Sequence, residues 1–269
     1  MPRRMVSKVP EITVYFWIVK ILTTAMGEAT SDYLVYHMDR YLAVMLGAAG
    51  FLVAFALQFA VRRYIAWAYW LLVVMVAIFG TMAADVTHIV LGVPYALSTT
   101  GFAFALAVIF MTWSRFEGTL SIHSIYTPRR ELFYWATVCA TFALGTAAGD
   151  MTAFTLHLGF FVSGVLFALL FALPGLCYWR FGVNDIFAFW AAYVLTRPLG
   201  ASFADWVDKP LSWGGLGFGT GPVSIALTAV IILFVTYLSL TRVDVPTGSP
   251  AVKYDDESDR ATEREVVRP

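Results

Sequence analysis

Four times along this chain the same three residues recur in the pattern W-x9-G-x4-D, with no gap adjusted in any copy. The copies are Trp17, Gly27 and Asp32; Trp70, Gly80 and Asp85; Trp135, Gly145 and Asp150; and Trp190, Gly200 and Asp205. A fixed spacing kept through four copies marks internal repetition, each copy being one supersecondary unit that needs its neighbours to bury its apolar face. The residue before each Asp is small: Ser31, Ala84, Gly149 and Ala204.

Composition says where such a unit can live. The chain is 59% hydrophobic and 13% charged, against about 25% charged in a soluble domain. Eight apolar segments, at about 10–34, 41–61, 64–91, 96–114, 131–156, 158–179, 185–206 and 219–241, are each near the ~20 residues that cross a bilayer. The expected fold is an all-α integral membrane protein of eight transmembrane helices, two per repeat. The first segment follows a basic start but is long and holds Lys20, Glu28 and Asp32, so it reads as a retained span and not a signal peptide. The chain divides into an N-terminus (1–9), repeat 1 (10–61), repeat 2 (62–114), a loop (115–128), repeat 3 (129–180), repeat 4 (181–241) and a polar tail (242–269) expected to be disordered.

Basic residues set the orientation. With eight spans the N-terminus, Arg62, Arg63, Arg115, Arg129, Arg130, Arg180 and Arg242 share one side, and the opposite loops hold only Arg40 and Lys209. Both termini are then cytoplasmic. All four repeats run in the same direction, as in parallel repetition about an axis along the membrane normal.

The odd-numbered spans carry every repeated motif and the strongly polar residues Lys20, Glu28, Asp32, Asp85, His88, Asp150, Arg197 and Asp205, whereas the even spans lack Asp, Glu, Lys and Arg. Ionisable groups in a membrane face the bundle interior or a wet cavity, so the odd helices are expected inside and the even ones toward lipid. On a helix each Gly and the small residue four later form a stripe that lets backbones approach closely. Four residues before each Asp stand Glu28, Thr81, Thr146 and, as the exception, Ala201. Arg63 to Asp85 is about 33 Å of helix, so the four Asp are expected nearer the outer boundary than the midplane, unless Pro198 breaks the seventh helix. There an Asp meets the unfavourable end of the helix dipole and needs a cation, a donor or a broken helix. The repeated Trp, about 22 Å below each Asp, read as interface anchors or packing residues.

Some chemistry drops out. Lys+Arg and Asp+Glu both number 18, so nothing points to nucleic acid. Cys139 and Cys177 lie in apolar stretches without metal-site spacing. There is no phosphate-binding glycine loop, no HExxH and no positioned nucleophile, so neither an enzyme nor a bound cofactor is expected. The last span has no Lys that would hold a retinal.

The stretches KVPEITVYFWIVKILTTAMGEATSDYL, AYWLLVVMVAIFGTMAADVTH, RRELFYWATVCATFALGTAAGDMTA and FWAAYVLTRPLGASFADW resemble a bacterial membrane-protein family, the "repeat of unknown function" 347 family. The resemblance covers about 8–241 and implies four tandem repeats of two membrane segments, each with a characteristic Trp, in a bacterial cytoplasmic membrane. It implies architecture and no activity.

From the residues themselves, Asp32, Asp85, Asp150 and Asp205 are candidates for a carboxylate ring that attracts a cation, with Glu28 and His88 beside them. Asp85, His88, Asp150 and His157 are candidate ligands for a divalent metal, the histidines sharing the Asp face if their helices continue. Lys20 and Arg197 are candidate charge partners. Two readings stay open. One is a secondary transporter or exporter of a small cation, with a channel as a variant, partnered by the lipid bilayer and, at 269 residues, small enough for a homo-oligomer to be considered. The other is a non-transporting membrane scaffold or sensor whose acids only knit the bundle together.

Overall fold

The computed structural model describes residues 7–246, which form eight long helices: α1 Val14–His37, α2 Arg40–Ala60, α3 Ala66–Asp85, α4 Tyr95–Glu117, α5 Pro128–Asp150, α6 Gly159–Phe181, α7 Asp185–Asp208 and α8 Thr220–Thr241. No strand occurs among the described residues. Seven helices, α2 to α8, are long and apolar enough to cross a membrane; α1 carries Lys20, Glu28 and Asp32 and falls outside that set. Helix starts follow local chemistry. Thr13, Asp39, Thr127 and Asn184 each accept a hydrogen bond from the backbone N–H three residues on, satisfying a donor the helix leaves unpaired. Helices α4 and α6 end on left-handed Gly118 (φ 71°) and Gly182 (φ 66°), a conformation in which a Cβ is costly.

Helices α1, α3, α5 and α7 touch in cyclic order, with α7 returning to α1. Each even helix packs chiefly on the odd helix of the next repeat: α2 on α3, α4 on α5, α6 on α7 and α8 back on α1. Repeats therefore interlock and do not merely stack. In the most apolar stretches of α3, α5 and α7, 50–67% of residues are buried, against 17–22% in α2, α4, α6 and α8.

Two sets of equivalent residues close the cycle. Each repeat Gly faces the residue three positions before the next repeat's Gly. A Cβ on Gly27 would strike Ala77, on Gly80 Phe142, on Gly145 Arg197, and on Gly200 Thr24. Each glycine thus permits one helix–helix approach. The aromatic before each Trp meets the next repeat's Trp in the same way. Ring centroids are 5.8 Å apart for Phe16–Trp70, 5.5 Å for Tyr69–Trp135, 6.1 Å for Tyr134–Trp190 and 5.7 Å for Phe189–Trp17. All lie in the favourable range for aromatic pairs. Trp70, Trp135 and Trp190 are buried core residues, so among the described residues their role is packing; only Trp17 is half-exposed.

The fourfold pattern breaks at the Asp end. Helices α3 and α5 stop at Asp85 and Asp150 and pass into π-helical turns, Val86–Val90 and Met151–Thr155, whereas α1 and α7 continue to His37 and Asp208. Repeats 2 and 3 share Asp-x-Thr at this point. Thr87 Oγ1 donates to the Ala83 carbonyl (3.1 Å) and Thr152 Oγ1 to that of Gly149 (2.8 Å). In both repeats the backbone ladder shifts to the wider turn at this same point. Helix α7 is continuous through Pro198, so the break that this proline could have made does not occur.

The chain ends tie the Trp end together. Lys8 Nζ lies 2.5 Å from Glu131 Oε2 and 3.4 Å from the Gln58 carbonyl. Past α8, Asp244 accepts from the Tyr64 hydroxyl and its carbonyl from Glu11 N–H (2.9 Å). Residues 242–246 are thus placed and packed; the rest of the tail expected to be disordered lies outside the described residues. The 115–128 connection folds onto α7, its Leu120 carbonyl accepting from Trp190 Nε1 (2.9 Å).

Candidate functional site

Above the aromatic layer the bundle interior is charged. Lys20, one turn past Trp17, is 1% exposed. Its ammonium sits over the rings of Phe142 (4.1 Å) and Tyr193 (4.2 Å), and among the described residues no carboxylate pairs with it. Buried so, it draws on ring faces in place of an anion.

The next layer holds the residues four before each Asp. Arg197, 1% exposed, donates through Nη2 to Glu28 Oε2, to Thr81 Oγ1 (2.5 Å) and to Thr146 Oγ1 (2.9 Å). One guanidinium therefore gathers the equivalent residues of the other three repeats. Ala201, at the same position in its own repeat, leaves the room. Thr81 and Thr146 also donate to their own helices, to the carbonyls of Ala77 (2.8 Å) and Phe142 (3.0 Å), which aims their lone pairs at Arg197.

Beyond that layer stand the repeated acids. Glu28, Asp32 and Asp205 each offer a carboxylate oxygen within 4.8 Å of the others, and all three are buried. Lys209 closes this cluster. Its ammonium is bonded to Asp32 and lies 3.4 Å from Asp205 Oδ1. The cluster's negative field raises the Lys209 pKa above its ordinary value, Asp205 and Asp32 outweighing the opposing effect of burial. This is the cation that an Asp near a helix C-terminus needs. The glycine run after α7 holds it in place. Leu216, Gly217, Phe218 and Gly219 N–H groups donate to the carbonyls of Trp206 (2.7 Å), Lys209 (2.9 Å), Val207 (3.2 Å) and Asp208 (3.0 Å). Gly214, Gly217 and Gly219 take φ near +80°, and a Cβ on Gly215 would strike the Lys209 carbonyl.

The other two repeat acids are placed differently. Asp85 and Asp150 are half-buried and accept no hydrogen bond or ion pair among the described residues, though the charges of Glu28 and Asp32 reach both. The structure brings Glu28, Asp32 and Asp205 together as candidate ligands and does not extend that group to the expected set of Asp85, His88, Asp150 and His157. The expected histidine alignment needed the helices to continue, and they do not. His88 falls in the π-turn, packs against Tyr95 with its ring tilted (centroids 4.4 Å apart) and has Nδ1 3.3 Å from Ser98 Oγ. His157 is exposed with φ 54° beyond the second π-turn.

Lys209 and Asp208 escaped the sequence reading, which counted Lys209 only as an outer-loop charge. The available signal was position: Lys209 follows Asp205 by one helical turn, and Pro210 stops the helix just after it. Two cavities lie elsewhere. One of about 520 Å³ sits at the Trp end among α1, α6, α7 and Leu120–His123, and one of about 380 Å³ lies between α1, α3 and α8; neither has Glu28 or a repeat Asp in its wall.

Fold and site together define a four-repeat helical bundle with a buried acidic cluster at one end. The family model described as "Repeat of Unknown Function (DUF347)" matches residues 15–64, 68–119, 133–184 and 188–244. The chain belongs to that family. No curated protein and no solved structure matches it.

Proposed function

We propose that this chain spans a bacterial cytoplasmic membrane with its odd helices inside, its even helices toward lipid and its Trp end cytoplasmic, and that it carries a small cation, as a transporter or exporter. The Asp end then opens to the other side. The observation that carries the reading is the convergence of Glu28, Asp32 and Asp205 within 4.8 Å in a buried place, since like charges so close call for a cation. Six carboxylates (Glu28, Asp32, Asp85, Asp150, Asp205, Asp208) face three cationic side chains (Lys20, Arg197, Lys209) in these layers, which favours cations over anions. The donors are all oxygen, suiting a hard divalent ion such as Mn²⁺ or Mg²⁺. Asp85 and Asp150, half-buried and unpartnered, are suited to guide an ion toward the cluster. The aromatic layer closes the route on the cytoplasmic side, which fits alternating access better than an open channel.

The test is flux. Full-length protein in liposomes loaded with a Mn²⁺-quenched dye should admit Mn²⁺, and Asp205→Asn and Asp150→Asn should each slow it. A reading in which the acids are purely structural, in a scaffold or sensor, has support from the pairing of Glu28 with Arg197 and of Asp32 with Lys209. Liposomes as tight with the protein as without it, for Mn²⁺ and Mg²⁺ alike, would favour that second reading.

A further inference from the structure

We propose that Lys209 is a tethered cation that occupies the Glu28–Asp32–Asp205 site, and that a divalent cation enters by displacing its ammonium toward Asp208. This rests on the cation reading above and names the device that regulates the site.

The cluster alone would not carry the inference. The second observation is a set of unfilled acceptors. Both carboxylate oxygens of Asp208 are buried without a hydrogen-bond donor among the described residues, and Asp205 Oδ1, also without a hydrogen bond, has the Lys209 ammonium at 3.4 Å; the two residues are 2% and 6% exposed. Buried carboxylate oxygens are normally satisfied. Asp208 adjoins Lys209 in sequence, and its carboxylate lies in the field of Lys209, Asp32 and Glu28. The arrangement thus has one mobile cation and two anionic places for it, one taken and one empty of donors.

The two buried cations beside these acids differ in how they are held. Arg197 is held through Nη2, whose two hydrogens are shared among Glu28, Thr81 and Thr146, and through Nη1, 3.5 Å from the Thr24 carbonyl, so it is a permanent part of the site. Lys209 is a compact charge on a flexible four-carbon stem, bonded to Asp32, 3.4 Å from Asp205 and 5.4 Å from the Tyr36 ring centroid. Its backbone is pinned by the glycine collar, with Gly217 N–H on its carbonyl at 2.9 Å and no room for a Cβ at Gly215. Any displacement is therefore a swing of the side chain. A divalent ion brings two charges to three carboxylates where the ammonium brings one. It leaves the ammonium free to supply the donors that Asp208 lacks, and ammonium and ion become exclusive occupants of one place.

The experiment measures Mn²⁺ binding to the purified full chain in lipid nanodiscs, by the loss of the free-ion paramagnetic resonance signal, with Mg²⁺ as competitor. Three chains are compared: wild type, Lys209→Gln and Lys209→Arg. Removing an internal competitor raises apparent affinity by the reciprocal of the fraction of time it leaves the site free. Lys209→Gln should therefore bind Mn²⁺ about tenfold or more tightly than wild type, and Lys209→Arg should bind no more tightly than wild type. Thermal unfolding covers a variant that folds poorly without its internal cation: Mn²⁺ should raise the midpoint of Lys209→Gln by more than it raises that of wild type. Equal Mn²⁺ affinity and equal midpoint shifts in wild type and Lys209→Gln would overturn the competitor role and leave the cation site standing. So would weaker binding by Lys209→Gln. A Lys209→Gln chain that stays unfolded in millimolar Mn²⁺ also overturns it, because an ion able to replace the ammonium would restore the cluster's charge balance. If wild type and Lys209→Gln both ignore Mn²⁺ and Mg²⁺, the cation reading itself fails.

Discussion

Arg197 Nη2 is bonded to Glu28 Oε2 in the middle of the ring of odd helices, in side chains that are 1% and 7% exposed. Arg197 comes from repeat 4 and Glu28 from repeat 1, and both stand close to where the cycle of repeats closes. Removing one member of a buried pair strands the other charge, at a cost of about 3–5 kcal/mol. Arg197→Met should therefore unfold at much lower temperature than wild type in detergent. Adding Glu28→Met to it should restore part of the loss. A double variant less stable than the single one would show that Arg197 acts mainly through Thr81 and Thr146.

The glycines split into two kinds. Gly145→Val and Gly200→Val should abolish folding or lower the yield of monodisperse protein severely, since a Cβ there meets Arg197 and Pro198 or Thr24 and Ala25. Gly101 and Gly175, also helical, have nothing within 4 Å of a built Cβ. Changing either to Ala should be neutral or stabilising by up to about 1 kcal/mol. Size-exclusion profiles and thermal midpoints of the four variants check this.

The aromatic cycle predicts a graded series. Trp135→Ala empties a fully buried site and should cost about 3–5 kcal/mol. Trp179, 80% exposed on α6, should tolerate Ala with a change within about 0.5 kcal/mol in detergent. Equal losses at both positions would contradict the layered arrangement.

Lys20→Met tests the buried ammonium. Without a carboxylate partner, its desolvation is offset only by two ring faces, and the positive charge of Arg197 opposes it. The substitution should raise stability, by about 1–3 kcal/mol, seen as a higher unfolding midpoint. A lower midpoint would mean that Lys20 anchors the neighbouring layers.

Asp244 lies beyond the last helix, and its pKa is raised above the ordinary 3.8, burial outweighing the bond from Tyr64. A raised folded-state value means that the folded chain holds this proton more tightly than the unfolded one. Its contribution to stability is thus full below pH 3.8 and is lost as pH rises through the folded value. Asp244→Asn should flatten that part of the stability–pH curve while keeping an oxygen for Tyr64 to donate to. An unchanged curve would mean that the folded and unfolded chains hold this proton equally.

Much of this was legible because repetition is a one-dimensional signal. The W-x9-G-x4-D spacing located the helices, and the small residue it places on each odd helix proved to be the contact face, as Gly27 against Ala77 and Gly145 against Arg197 demonstrate. The 3.6-residue period also put Glu28, Thr81, Thr146 and Ala201 on one face, and in the structure Arg197 joins the first three. Two features were not legible. The histidine alignments held only if the helices continued through Asp85 and Asp150, and both pass there into π-helical turns. Lys209 looked like an outer-loop charge because, although its spacing from Asp205 is local, its bond to Asp32 joins residues 177 positions apart.

The sequence by itself determined a four-repeat, two-helices-per-repeat chain, the helices that carry the charges and the residues at which backbones meet. Those properties follow from apolar length and helical period, which are local. Only the tertiary structure decided that repeat 4 closes on repeat 1, that Arg197 collects three repeats, and that Asp32 and Asp205 share Lys209 while Asp85 and Asp150 have no hydrogen bond or ion pair among the described residues. These depend on pairing residues such as Glu28 and Arg197, 169 positions apart, and such pairings exist only once the helices have closed into a ring.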